Sequence, residues 1–325
     1  MTAVGSRTLR IGTRRSALAL AQTGGVAQVL RAAGHQVELI EVETEGDRSR
    51  AAVEQMGSTG VFVTELRQRL LAGDVDVAVH SFKDLPTQPP KGIVLAAVPP
   101  RADPRDALVS RAGLDLAQLP AGARVGTGSP RRAAQLRALG FGLEVEPIRG
   151  NVDTRLRRVA DGDFDAVVVA AAGLARLGRL DEVSEILDPG QMLPAPAQGA
   201  LAVECRSDDS ELVGAVSEAL DDPVTRSAVA AERALLATLE AGCSAPVGAL
   251  ADVSEADDGT DEIYLRAVVV SLDGERSIRL SVTGPATEAQ ELGNRLAADL
   301  LAAGAAELMA NHPKVNSTEM IGDPT

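Results

Sequence analysis

The stretch VTELRQRLLAGDVDVAV (Val63–Val79) is echoed further on by VDTRLRRVADGDFDAVV (Val152–Val168). Each copy reads as an amphipathic helix, a Gly-Asp stop and a strand. Leu66, Leu70 and Leu71 give the helical spacing in the first copy, and Leu156 and Val159 give it in the second. Gly73 and Gly162 fall where a glycine C-terminal cap belongs. A second pair of echoes precedes them. LRIGTRRS (Leu9–Ser16) and ARVGTGSP (Ala123–Pro130) each run as a short strand into Gly-Thr and then a helical pattern. Strand–helix–strand order in both copies implies two similar α/β domains.

Working outward, PPRADPRDALVS (99–110) marks a crossing from the first domain to the second, and LPAPAQGALAVECR (193–206) a crossing back. The run GALAVEC reads as a buried strand that returns to the first sheet. Two crossings make a hinge, with a cleft between the domains. The expected division is 9–98 with 201–220, then 99–200, then a small α+β unit over 221–310. In that unit TRSAVAAERALLATLEAG is an amphipathic helix stopped at Gly242. EIYLRAVVVSLDGERSIRLSVTG is a hairpin turning at Asp273-Gly274. A last helix spans about Ala286 to Ala303. Residues 311–325 read as a disordered tail.

Composition narrows the function. The 325 residues are 45% hydrophobic but only 2% aromatic, so Val, Leu, Ile and Ala must fill the core, and nucleic-acid binding by base stacking is disfavoured. A net charge of -14 argues against nucleic-acid or anionic-membrane partners. An anionic ligand therefore needs a local basic patch. The longest apolar run, Ala166–Ala175, is about half a membrane span. The opening residues lack an apolar signal core, and the two cysteines suggest no disulfide framework, so a cytoplasmic protein is expected. His35, His80 and His312 show no metal-ligand spacing, and no metal is expected.

Strand ends carry the candidate chemistry. Val75, Val77 and Val79 alternate with Asp76, Ala78 and His80, the mark of a strand with one face well buried. The run then breaks into His80, Lys83 and Asp84 before Pro86. Ligands of α/β sheets gather at such ends; read alone, the cluster serves equally well as a solvated turn. In VGTGSPRRAAQLRAL, Ser129 suits an N-cap and Pro130 the first helical position, so Arg131 and Arg132 crowd the positive end of a helix dipole. An anion bound there would reverse the penalty; the alternative is a tolerated exposed pair. Arg14 and Ser16, Arg149 and Arg155, and Arg176 also follow strand ends or open helices. No Walker-type loop is present, which favours carboxylates over phosphates. Cys243 sits in the tight loop LEAGCSAPVGAL, whereas Cys205 ends a buried strand and reads as a packing residue.

Taken together, RIGTRRSALALAQ, DVAVHSFKDLPT, DPRDALVS, VGTGSPRRAAQL, IRGNVDTRL, AAAGLARLG, PAPAQGALAVECR and LEAGCSAPVGA resemble the porphobilinogen deaminase (hydroxymethylbilane synthase) family. The resemblance runs from about residue 9 to 250 in the family's order. It implies two α/β domains of periplasmic-binding-protein-like type around a cleft, plus the small third domain. It implies a cytoplasmic, monomeric transferase that joins four porphobilinogen molecules head to tail with loss of ammonia and releases hydroxymethylbilane. The partners it implies are porphobilinogen and the growing oligopyrrole chain. By motif, Cys243 would carry a dipyrromethane cofactor as a thioether, and Asp84 would be the catalytic carboxylate. Lys83, Ser129, Arg131 and Arg132, with Asp84, would hold the cofactor; Arg14, Ser16, Arg149, Arg155 and Arg176 would meet substrate. One departure stands out: EQMGSTG (Glu54–Gly60) has Gln55 and Thr59 where the family's active-site loop often has lysines. The competing reading is a non-catalytic two-domain binder of a polycarboxylate.

Overall fold

The computed structural model describes residues 7–42, 58–88, 90–241, 245–257 and 259–310, without the side chains of 58–62. Cys243, Gln55 and the expected tail lie outside the described residues, while Thr59 belongs to the backbone of a helix.

Three sheets organise the chain. The first has the order β2-β1-β3-β10-β4, built from β1 (Leu9–Thr13), β2 (Val37–Glu41), β3 (Val77–Ser81), β4 (Ile93–Ala97) and β10 (Leu201–Arg206). The second repeats that plan as β7-β6-β8-β5-β9, with β5 (Asp106–Ser110), β6 (Arg124–Gly126), β7 (Glu144–Glu146), β8 (Ala166–Ala170) and β9 (Glu185–Ile186). In each sheet one strand delivered by a crossing runs antiparallel to its neighbour. β10 pairs with β3 from Leu201↔Ser81 to Cys205↔Val77, and β5 pairs with β8 from Asp106↔Ala170 to Ser110↔Ala166. The parallel neighbours β1 and β3, and β6 and β8, send their C-terminal ends to the same edge of each sheet.

Helices flank these sheets: α1 (Ala17–Ala32), α2 (Ser58–Leu71), α3 (Pro130–Ala138), α4 (Val152–Ala160), α5 (Ala171–Arg176) and α6 (Ser210–Leu220). Side-chain caps set their starts. Ser16, Ser129, Asn151 and Asp209 each accept from the backbone N–H three residues on. Gly73 and Gly162 take the left-handed conformation just beyond α2 and α4.

β3 departs from the half-buried strand expected of it. Every residue from Val75 to His80 is buried. The sheet is covered on both faces, and the polar members lie beside side chains of other strands. Asp76 takes two hydrogen bonds from the Arg10 side chain, and His80 Nε2 lies 3.3 Å from Glu204 Oε2.

The C-terminal domain is a three-stranded antiparallel sheet, β11 (Val247–Glu255), β12 (Asp261–Val270) and β13 (Ser277–Pro285), packed on α7 (Pro223–Thr238), α8 (Ala289–Ala302) and α9 (Ala305–Ala310). Its hairpin is looser than a two-residue turn. Six residues, 271–276, link β12 to β13; Gly274 has φ +83°, and Ser271 N–H donates to Arg276 C=O. β11 and α9 were not foreseen in the sequence.

The crossings are tightly made. Gly199 has φ +88°, and a Cβ there would sit 2.4 Å from the Ala102 carbonyl oxygen, so only glycine lets the two segments lie side by side. Glu232 of α7 is fully buried beneath them. It binds Arg101 through both oxygens (2.7 and 3.0 Å) and accepts from the N–H groups of Ala197 and Ala251. One carboxylate thus joins both crossings to the third domain.

Candidate active site

The C-terminal end of β3 continues into a single 3-10 turn, Phe82–Asp84, which projects Lys83 and Asp84. On the neighbouring β1 the chain leaves the sheet through Arg14 to the α1 cap, Ser16. Arg14, Ser16, Gln22, His80, Ser81 and Asp84 line one cavity of about 280 Å³. Gln22 Nε2 donates to Ser81 Oγ at 2.8 Å and fixes one wall. Half of the expected site is therefore assembled by two adjacent strand ends.

The second α/β domain supplies the other half. Ser129 caps α3, and Pro130 opens it. Arg149 is exposed just before α4, and Arg155 lies in the first turns of that helix with Nε donating to Gly150 C=O at 3.0 Å. A Cβ on Gly128 would stand 2.9 Å from the Ile148 carbonyl oxygen, so the bare glycine lets these two segments lie close, with the Arg155 guanidinium beside them. Arg176 reaches the crossing and donates to Gly199 C=O at 2.7 Å. Burial lowers the proton affinity of both guanidiniums, helped at Arg155 by the nearby Arg132. Among the described residues no carboxylate pairs with either. Two partly buried guanidiniums without a carboxylate are a strong invitation to an anion.

Arg131 and Arg132 have a different environment. They are 3% and 5% exposed, and an anion already sits on their forks: the carboxylate of Asp106, fully buried at the start of β5. Arg131 Nη2 lies 2.8 Å from Asp106 Oδ2, and Arg132 Nε and Nη2 lie 3.0 and 2.8 Å from Oδ1. Arg131 also donates to Leu193 C=O, and Arg132 to Val168 C=O. Burial alone would raise the Asp106 pKa, but Arg131 and then Arg132 overturn that and hold it well below the usual carboxylate range. The basic first turn of α3 is thus offset in part from within the protein, one carboxylate against two guanidiniums. Sequence reasoning missed Asp106; the signal was an acid opening the otherwise apolar strand DALVS.

Gln198 links the two halves. It is 1% exposed on the second crossing, accepts from Lys83 Nζ at 3.2 Å, and donates to Asp106 Oδ1 at 2.7 Å and to Pro104 C=O at 2.8 Å. Lys83 pays for its enclosure in proton affinity: burial, and next the charge of Arg132, pull its ammonium down to about 8, with Asp84 opposing. A cation held this way gains from a ligand carboxylate. The donors therefore fit a polycarboxylate: Lys83 and Arg176 lie against the second crossing, and Arg155 lies near Arg132. Cys205 is fully buried, and its thiol is pushed up to about 12, chiefly by burial. It occupies a packing position in the core of the first sheet.

Comparison with known proteins supplies the family. Residues 9–214 match a family model described as porphobilinogen deaminase, dipyromethane cofactor binding domain, and residues 227–302 match the porphobilinogen deaminase C-terminal domain. A porphobilinogen deaminase of Mycobacterium bovis is 60% identical over 305 residues, covering 93% of this chain and 98% of that protein. One from Nocardia farcinica is 59% identical over 305 residues, covering 93% and 88%. Among solved structures, the methionine binding protein MetQ aligns at 14% identity with a TM-score of 0.42, over 65% of this chain and 89% of that one.

Proposed function

This chain belongs to the porphobilinogen deaminase family, and we propose that Asp84 is its catalytic carboxylate and Cys243 the attachment point of its dipyrromethane cofactor. The activity is that of the family: four porphobilinogen molecules are joined head to tail with loss of ammonia, and hydroxymethylbilane is released by hydrolysis. The non-catalytic binder is set aside. Bound, the cofactor supplies the pyrrole carbon from which the product grows.

The chain's own residues act as follows. Loss of ammonia from porphobilinogen leaves an electron-poor azafulvene cation. The Asp84 carboxylate, beside the pyrrole N–H, stabilises that positive charge as it develops. The same carboxyl delivers a proton to the departing amine and takes one from the ring carbon that has formed the new C–C bond. Lys83, Ser129, Arg131 and Arg132 orient the cofactor's end of the site, with Asp106 fixing the two arginine forks. Arg14, Ser16, Arg149, Arg155 and Arg176 meet the carboxylates of substrate and of the growing oligopyrrole. The division of the chain at 98, 200 and 220 is supported by the sheet membership of β4, β5 and β10. The same reading makes the protein a cytoplasmic monomer without nucleic-acid or membrane partners; among the described residues no helix is long and apolar enough to cross a membrane.

The observation that carries the reading is that Asp84 lines one cavity with Arg14 and Ser16, while Lys83 beside it in sequence is linked through Gln198 to Asp106 of the second α/β domain. Asp84→Asn keeps the size and removes the charge. In holoprotein verified by mass, single-turnover release of ammonia should fall by roughly 10²–10⁴-fold. Asp84→Glu should retain more activity than Asn. Release of ammonia by the Asn variant at the wild-type rate would remove Asp84 from the mechanism.

A further inference from the structure

The turn that carries Lys83 and Asp84 is a single 3-10 turn, an element too short to hold its own geometry. Its own backbone contributes one bond, Leu85 N–H to Phe82 C=O at 3.2 Å. The second crossing contributes another, with Phe82 N–H donating to Ala200 C=O at 3.0 Å. Lys83 Nζ adds its bond to Gln198 Oε1, and a further grip comes from the C-terminal domain. Arg233 of α7 donates to Leu85 C=O at 3.1 Å and Pro86 C=O at 2.6 Å, and approaches Phe82 C=O at 3.4 Å. Its guanidinium also lies over the Phe82 ring, 4.5 Å from the centroid.

We propose that Arg233 is a positioning residue of the reaction: from the C-terminal domain it fixes the backbone of the Phe82–Asp84 turn and so aims the Asp84 carboxylate. This rests on the reading of Asp84 as the catalytic group. The arrangement has a clear logic in the chain. Glu232, one residue before, binds both crossings; Arg233 binds the catalytic turn; α7 then ends at Thr238, and Cys243 follows in sequence. One helix thus holds both crossings and the catalytic turn. A lysine could not replace the arginine, because one ammonium cannot place two diverging nitrogens on three carbonyls.

A cavity of about 870 Å³ between the first and third domains makes the idea testable. Arg233, Phe82, Leu85, Pro86 and Arg226 are among its walls. Arg233→Met keeps contact with the Phe82 ring through its thioether but removes every donor. Arg233→Ala leaves a guanidinium-sized gap open to that cavity. Both are prepared as holoprotein, with the cofactor confirmed by intact mass and folding by a melting curve. We expect kcat to fall by roughly 10–100-fold in each variant, since a displacement of about 1 Å of a reacting group costs on that order. The KM for porphobilinogen should stay close to wild type, because orientation and not ground-state binding is lost. Methylguanidinium should restore much of the lost kcat in Arg233→Ala and leave wild type unaffected. The proposal is overturned by a wild-type kcat in Arg233→Met, by a loss confined to KM, or by failure of methylguanidinium to raise kcat in Arg233→Ala. If the Met variant does not fold, the rescue experiment decides alone. Asp84→Asn measured alongside keeps the two readings apart, since its ammonia release judges Asp84 whatever Arg233 does.

Discussion

Replacing Asp106 by Asn tests whether the cluster at the α3 start is held together by charge. Asp106 is fully buried, and it is the carboxylate that faces both Arg131 and Arg132, each at 2.8 Å. Asparagine keeps the shape and still accepts a hydrogen bond through one oxygen, but two guanidiniums are left in a buried site without a counter-charge. Removing one partner from a buried ion pair costs about 3–5 kcal/mol, which is a large share of a total stability of about 5–15 kcal/mol. A melting temperature roughly 10 °C lower follows at pH 7. The control lies in the same sheet: Arg124 and Glu146 pair at 2.8 Å on the surface, with side chains 45% and 37% exposed, so Glu146→Gln should leave the melting temperature almost unchanged. Scanning calorimetry of both variants gives the comparison. The pH dependence supplies a second reading. The folded pKa of Asp106 is depressed, so its contribution is full above the unfolded value near 3.8 and is lost only as pH falls through the much lower folded value. The gap between wild type and Asp106→Asn should therefore hold from pH 7 to about pH 4 and narrow only in stronger acid. Equal, small shifts in Asp106→Asn and Glu146→Gln would refute the reasoning.

Lys83 offers the opposite sign. Burial pulls its folded pKa from 10.5 down to about 8, so its destabilising effect is full below about pH 8 and fades as pH rises to 10.5. Lys83→Met in cofactor-free protein should melt higher than wild type at pH 7 and lose that advantage by about pH 10.5, as parallel thermal melts at the two pH values will tell. For the cysteines, Cys243→Ala should give a protein of bare sequence mass without turnover, whereas Cys205→Ala should keep both the adduct and activity. Peptide mapping that found the adduct on the buried Cys205 would reverse the assignment.

What was legible in the sequence was local. Strand, helix and glycine stop recur within a few residues of one another in Val63–Val79 and Val152–Val168, so periodicity alone exposed the two similar sheets. The cap Ser129 was legible for the same reason, since it acts three residues away. What escaped depends on partners distant in the chain. Asp106 meets Arg131 and Arg132 across 25 and 26 residues, so the basic helix start could be read as needing an anion, yet nothing local named the anion. His80 could be read as the solvated end of a strand because Glu204, which lies beside it, arrives 124 residues later on β10, opposite Ala78 in the register. β11 escaped because VGALA, buried throughout, carries no alternation until it pairs with β12. The hairpin was expected to be tighter than it is. Its bend is made by a Ser271–Asp273 side-chain contact as well as by Gly274.

The net charge of -14 and an anionic reaction sequence are compatible for a reason visible in where the charges lie. Each pyrrole added brings two carboxylates, so the ligand grows more negative at every step. Acidic side chains on the outer surface are screened beyond about 8 Å at physiological ionic strength. Buried acids face inward and are matched: Asp106 by Arg131 and Arg132, Glu204 by Arg67, Glu232 by Arg101. Neither population opposes an anionic ligand. Arg155 and Arg176 keep charge that no carboxylate of the described residues offsets, and Lys83 holds an ammonium whose ordinary proton affinity an incoming carboxylate would restore. Matched charges fix the frame, and Arg155 and Arg176 are left for the ligand. The division follows burial: the arginines tied to internal acids at Asp106 and Glu232 are nearly closed off from water, while Arg155 and Arg176 stay partly open to it.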